Sequence, residues 1–425
     1  MPRWRTSHPG FDIKRIGRIN NNEQKTREDS YPPPRKIDPS TACTQRVHLH
    51  PLDALRGMAC LLIAFGYHAA HRGHDATLLV PEKMRGIATF LVGNGGNYVH
   101  LFFMLSGFVM YYNYRKKIEQ GQIDLQEFVF RRFSRLYPSA WAANLVTAAI
   151  MIFYQIKMGA YPFSRIYAGL LYDFVLSLLF LNTDAVTMNG PSFDPVLWTA
   201  SYEMIMYLLF FFLATKSGRK NGLLFYVLPV FAGLLAVNGR LGEVGTILTA
   251  TGFSSPYAYV LIDFFIGCIL AELYFFIEKK KCKAVVGYIT VLLSIIVPIV
   301  VTQQPQIVGN ALGVYQLVWF PSLILSVLCI KWLFAFLSVT PFQWLGKLSF
   351  AIYIWHLPVY DLVELPFLMA GRADWTQTRK FYFLWIAVSL LFSFLSYQLL
   401  ECRLQRWMRN NYRRSREHRE AQTVW

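Results

Sequence analysis

From Leu52 onward, apolar segments of nearly twenty residues recur along the chain, and few charges interrupt them. A stretch of about 20 apolar residues is what an α-helix needs to cross ~30 Å of hydrocarbon. In lipid only helices and closed barrels satisfy their own backbone hydrogen bonds. The pattern therefore predicts an all-α chain, a polytopic membrane helix bundle. Composition agrees. Of the 425 residues 54% are hydrophobic and only 16% charged, which is too little polar surface for a water-soluble enzyme of this length.

The apolar segments fall at 52–71, 98–114, 138–157, 197–214, 222–238, 255–277, 284–302, 315–335, 346–364 and 380–400. A further apolar segment, 167–182, is decided by charge. The chain holds 42 Lys plus Arg against 25 Asp plus Glu. The positives cluster at both termini and between apolar runs, as the positive-inside rule wants, so nucleic acid is not the expected partner. If 167–182 crosses, Lys216 to Lys220, Lys279 to Lys281 and the Arg-rich C-terminus all fall outside. If it does not cross, all fall inside. The segment therefore reads as interfacial or re-entrant. That leaves about ten transmembrane helices with both termini cytoplasmic. Residues 1–48 read as a disordered basic cytoplasmic tail, 49–402 as the transmembrane domain and 403–425 as a second basic cytoplasmic tail. The first tail has no apolar core that would make it a signal peptide. The cysteines form no C-x-x-C pair, and no metal is expected.

Ionisable groups at bilayer depth are costly and point to function. The first span carries Arg56 and His68, ~18 Å apart along an ideal helix. A guanidinium binds phosphate or carboxylate as a fork, and a neutral imidazole accepts a proton near neutral pH. Snorkelling for Arg56 and polar packing for His68 are the plainer alternatives. Phe102-Phe103-Met104-Leu105-Ser106-Gly107-Phe108 offers a hydroxyl beside a close-packing glycine. Arg132 and Arg135 share a helical face at the mouth of the third span, which suits a polyphosphate or lipid phosphates. Trp198 opens a span whose one acid is Glu203, a carboxylate in need of a partner. His356 sits above Lys347 in Leu345-Gly346-Lys347-Leu348-Ser349-Phe350-Ala351-Ile352-Tyr353-Ile354-Trp355-His356. His71 to Asp75 matches H-x-x-x-D, a weak signal, and His68, His71 and His74 drift round their helix, which argues against a metal.

Taken in order, L-D-A-L-R-G at 52–57, the His68 region, F-F-M-L-S-G-F at 102–108, R-R-F-S-R-L-Y-P at 131–138, W-T-A-S-Y-E at 198–203 and L-G-K-L-S-F-A-I-Y-I-W-H at 345–356 resemble the acyltransferase-3 family. Its members are membrane O-acyltransferases. The resemblance implies transfer of an acyl group, with acetyl expected, from cytoplasmic acyl-CoA as co-substrate to a hydroxyl of a small natural product, lipid or glycan. It implies that His68, Arg56 and Glu203 are catalytic. Arg132, Arg135, Ser106, Trp198 and His356 are implied to bind substrate. With no soluble catalytic domain in the sequence, a small lipophilic acceptor is the first expectation. The rival readings are a transporter and a non-catalytic acyl-CoA-binding protein of the same fold.

One departure has a structural consequence. The family usually places ten residues between its Arg and His, and here eleven intervene. On an ideal helix the extra residue turns His68 from about 20° to about 120° off the Arg56 face. A π-bulge in Phe65-Gly66-Tyr67 would absorb it. Without one, His71 is the substitute base.

Overall fold

A computed structural model describes residues 48–158, 170–179, 181, 195–217, 222–237, 255–303 and 311–423. The expected N-terminal tail before His48, most of the loop 158–196 and the loops 239–254 and 303–310 lie outside the described residues. Among the described residues the chain is helical, with no strand. Six helices are long and apolar enough to cross a membrane, and Leu224–Val237 is a shorter apolar helix. The protein is thus an integral membrane helix bundle.

Helix α1 (His50–Leu62) runs through a π-helical turn (Ile63–Tyr67) into α2 (His68–His71). The π turn occupies the stretch where the surplus residue must go. The His68 amide bonds back to the Ile63 carbonyl, a five-residue step. After α3 (Arg85–Gly93) come α4 (Tyr98–Glu119), α5 (Leu125–Met158) and the short α6 (Leu170–Leu178). Helices α7 (Trp198–Ser217), α8 (Leu224–Val237), α9 (Ser255–Lys280) and α10 (Lys283–Gln303) follow. Then α11 (Ala311–Val314) passes through a second π turn, Tyr315–Trp319, into α12 (Phe320–Cys329). The chain closes with α13 (Lys331–Leu337), α14 (Thr340–Met369), α15 (Arg379–Ser396), a π stretch Tyr397–Leu404 and α16 (Gln405–Thr423).

Two boundaries differ from expectation. Helix α5 begins at Leu125, not near 138, and runs through Pro138. A proline is tolerated where neighbouring groups re-satisfy the freed backbone. The last crossing does not stop near 400. It continues as helix to Thr423, so the expected tail is a helix.

Lipid tails are as apolar as leucine, so close packing and polar bonds, more than apolar contact, hold such a bundle together. Gly57 faces Leu345 and Gly346. A β-carbon at Gly57 would lie 2.6 Å from the Leu345 Cγ, and one at Gly346 2.5 Å from the Asp53 Cβ. Further along, the Cys60 thiol donates to the Ser349 carbonyl at 3.1 Å, and His68 meets His356. Contacts rise together in number, so α1 and α14 run parallel. Helices α4 and α7 are also parallel, joined at Phe103–Trp198, Ser106–Glu203 and, through Ser217, Glu119. Gly107 and Gly267 bring α4 against α9 so tightly that a β-carbon at Gly107 would sit 1.8 Å from the Phe264 carbonyl oxygen. Helix α15 returns antiparallel to α14 through Trp355–Phe392 and Tyr360–Phe381.

Among the described residues, segment 167–182 holds the nine-residue α6. It descends along α5. Phe174 packs on the Met151 and Tyr154 cluster, and the Leu178 carbonyl accepts from the Trp141 indole at 2.7 Å.

Candidate active site

A partly open cleft with about 800 Å³ of empty space lies between α1, α4, α5, α7 and α14. Val196, Leu197 and Thr199 line one end and Arg56 and Arg135 the other, while Ser106, Glu203, Tyr207, Ser349 and Tyr353 line its sides. Four of the eight residues singled out from sequence, Arg56, Ser106, Arg135 and Glu203, therefore share one cavity. Val99, Phe102, Phe103 and Ser106 line it because their spacing of three and four puts them on one face of α4.

Glu203 accepts hydrogen bonds from the Ser106 hydroxyl and from the Tyr207 phenol one turn along its own helix. Ser106 and Tyr207 are themselves 3.0 Å apart. These are the partners that the lone carboxylate needed. Sequence reasoning missed Tyr207, although a phenol four residues from a lone acid was a usable signal. Arg56 lies 3.9 Å from Asp53, and Arg135 is within electrostatic reach of Glu203, Glu401 and Asp53. Two guanidiniums facing one hydrogen-bonded carboxylate form a seat for an anion.

The histidines form their own pair, beyond Tyr353 and toward the opposite end from Arg56. His68 Nδ1 lies 2.6 Å from His356 Nε2, with the ring planes 6° apart. His356 Nδ1 faces the Ile352 carbonyl at 3.2 Å. A carbonyl only accepts, so that nitrogen carries the proton and His356 Nε2 is an acceptor. His68 Nδ1 then donates to it, which leaves the lone pair on His68 Nε2. This tautomer is the one a general base requires. His356 is fully buried, and its carbonyl accepts from the Trp385 indole at 2.8 Å. The π turn is fixed in turn by the Tyr382 phenol, which donates to the Phe65 carbonyl.

The remaining residues separate. His71 is exposed and bonded to the Tyr67 carbonyl at 2.8 Å. His74 is buried and stacks on Tyr382, 5.0 Å between centroids. Asp75 of the H-x-x-x-D match caps a turn through the Thr77 amide at 2.8 Å. Trp198 packs at a tilt against Phe103 and edge-on against Tyr202, beside the cleft rather than in it. Arg132 donates to the Tyr114 phenol, with its guanidinium 4.6 Å above the Tyr114 ring and 5.6 Å from that of Tyr207.

A family profile described as an acyltransferase domain matches residues 49–398, most of the chain. The chain belongs to the acyltransferase-3 family. Among curated relatives of this family, the peptidoglycan O-acetyltransferase OatA of Listeria monocytogenes is 24% identical over 321 residues, covering 71% of this chain and 50% of that protein. The O-acetyltransferase OatA of Staphylococcus aureus is 24% identical over 330 residues, covering 71% and 51%. A protein of the picA locus of Rhizobium radiobacter is 29% identical over 194 residues, covering 44% and 92%. The chain spans about half the length of the two OatA proteins. No solved structure matches.

Proposed function

We propose that this acyltransferase-3 family protein is an O-acyltransferase that takes an acetyl group from cytoplasmic acetyl-CoA and delivers it to a hydroxyl within the bundle. The observation that carries the reading is an arginine-floored cavity whose wall residue Tyr353 lies 6.0 Å, between ring centroids, from His356, the partner that sets the free nitrogen of His68. About ten crossings with both termini cytoplasmic accompany it. The parallel packing of α1 and α14 requires an odd number of crossings between them, which the re-entrant reading of 167–182 supplies.

In this mechanism Arg132 and Arg135 hold the phosphates of CoA, and the acyl arm enters the cleft past Arg56. His68 Nε2 removes the acceptor's hydroxyl proton as the oxygen attacks the thioester carbonyl carbon. A C–O bond forms and the C–S bond breaks. The departing thiolate takes the proton back from the His68 imidazolium, giving ester and free CoA. His356 accepts from His68 Nδ1 throughout and steadies the cation, the part a carboxylate plays in a serine triad. Arg56, at the end of the cleft away from His68, helps neutralise the incoming CoA. Glu203, held by Ser106 and Tyr207, orients the acceptor. General-base catalysis of this kind is worth typically ~10²–10⁴-fold.

The acceptor is a small natural product, a lipid or a glycan, the last being the class named for the Listeria relative. The test is transfer of labelled acetyl from acetyl-CoA by protein in proteoliposomes supplied with lipid, glycan and small-alcohol fractions. Label in one fraction names the acceptor class. Label in none, with acetyl-CoA intact, refutes the reading.

A further inference from the structure

Helix α16 lies beyond the residues that the family profile matches. It nevertheless docks on α5 at a defined place. Tyr412 stacks on Phe130 with 4.1 Å between ring centroids. Arg416 pairs with Asp124 at 2.9 Å and with Glu127 at 3.1 Å. One turn before Tyr412, this docking sets Arg409 within electrostatic reach of Arg131, Arg132 and Arg135, around the phenol of Tyr114. Lys117 lies 5.9 Å from the same ring.

Four guanidiniums at one place repel one another; Glu127 offsets Arg131, and Glu203, Glu401 and Asp53 act on Arg135, but among the described residues no carboxylate pairs with Arg132 or Arg409. Glu127 is engaged by Arg131 at 2.5 Å and by Arg416. Glu401 bonds to Ser139 at 3.4 Å. Arg132 is 5% exposed, and its Nε has no hydrogen-bond partner. A buried charge-bearing donor without a partner is costly, so the arrangement is complete only with an anion present. Arg135 also lines the cleft, so an anion held here leads straight into it. Arg409 itself is exposed and open to a ligand from the aqueous side.

We infer that α16 supplies the outer wall of the donor site, and that Arg409 binds the phosphate-bearing head of acyl-CoA together with Arg131, Arg132 and Arg135. This rests on the donor assignment of the preceding section. Arg409 is a substrate-binding residue in this account, and Tyr412 and Arg416 position it.

Calorimetric titration of the full-length protein in detergent tests the inference with two probes. Acetyl-CoA carries the phosphates, and S-acetylpantetheine carries the same acyl arm without them. Arg409→Ala is expected to weaken acetyl-CoA about tenfold and to leave S-acetylpantetheine where the wild type has it. The Tyr412→Ala, Arg416→Ala double variant, which undocks the helix, follows Arg409→Ala. Arg413→Ala, exposed on the same helix, keeps wild-type affinity for both. The inference is overturned if Arg409→Ala binds acetyl-CoA like the wild type, or if it weakens both probes alike. Loss of co-purified anionic lipid in native mass spectra, with acetyl-CoA affinity intact, reassigns the cluster to lipid headgroups and also overturns it. A wild type that binds neither probe removes the donor assignment as well, which separates the two failures.

Discussion

Helices α10 and α14 make opposite use of the same bilayer. Helix α10 is the most hydropathic of the candidate spans, and only 22% of its apolar window is buried inside the protein. Leu292, Ile295 and Ile299 face outward, each close to half exposed or more. Helix α14 is longer, at 30 residues, yet it is not among the helices that hydropathy marks as spans. Its middle, from Ala351 to Asp361, is buried, and it carries His356 together with Tyr353 and Ser349 of the cleft wall. Helices α1 and α4 share its position: neither is among the hydropathic spans, and both carry site residues. Hydropathy finds α10, which meets lipid, and also α5 and α7, which carry Arg135 and Glu203, but it passes over α1, α4 and α14. Those three are diluted by the polar residues they carry.

That contrast sets an order of effects. His68→Ala removes the base and is expected to lower acetyl transfer by ~10²–10⁴-fold, read as the rate of CoA release with an acceptor present. Arg56→Ala is expected to weaken acetyl-CoA about tenfold, read as a higher KM, and Arg56→Lys recovers only part of it because the fork is lost. A fall in kcat with KM unchanged would instead place Arg56 at the reacting carbonyl. Gly107→Val acts on folding: a side chain driven into the Phe264 backbone is expected to destabilise the bundle by about 1–3 kcal/mol, seen as a lower Tm in detergent. Ile295→Val on α10 is expected to stay within about 0.5 kcal/mol of wild type and to leave turnover unchanged. A large functional loss at Ile295 would break the division between lipid-facing and chemical helices.

Much of this division was legible in the residues themselves. The charges in the first span, the lone Glu203 and the Ser106-Gly107 step marked the cavity helices. One surplus residue between Arg56 and His68 pointed to the π turn now seen at Ile63–Tyr67. What escaped was pairing across the chain. His68 and His356 stand 288 positions apart, and no local spacing announces that α1 and α14 lie parallel in register. One partner of Glu203, a serine on α4, escaped for the same reason; the other is a phenol on its own helix. The role of α16 was hidden because an Arg-rich sequence after a final span reads as a solvated tail. It takes the stacking of Tyr412 and the ion pairs of Arg416 to hold it as a docked helix.

The central claim is that His68 is a base whose proton site is fixed by His356. CoA release from acetyl-CoA by purified wild-type protein, His68→Ala and His356→Ala tests it most directly. The account predicts turnover in the wild type, near-complete loss in His68→Ala, and a lesser loss in His356→Ala with acetyl-CoA affinity unchanged in both. Wild-type turnover retained by His68→Ala would contradict it.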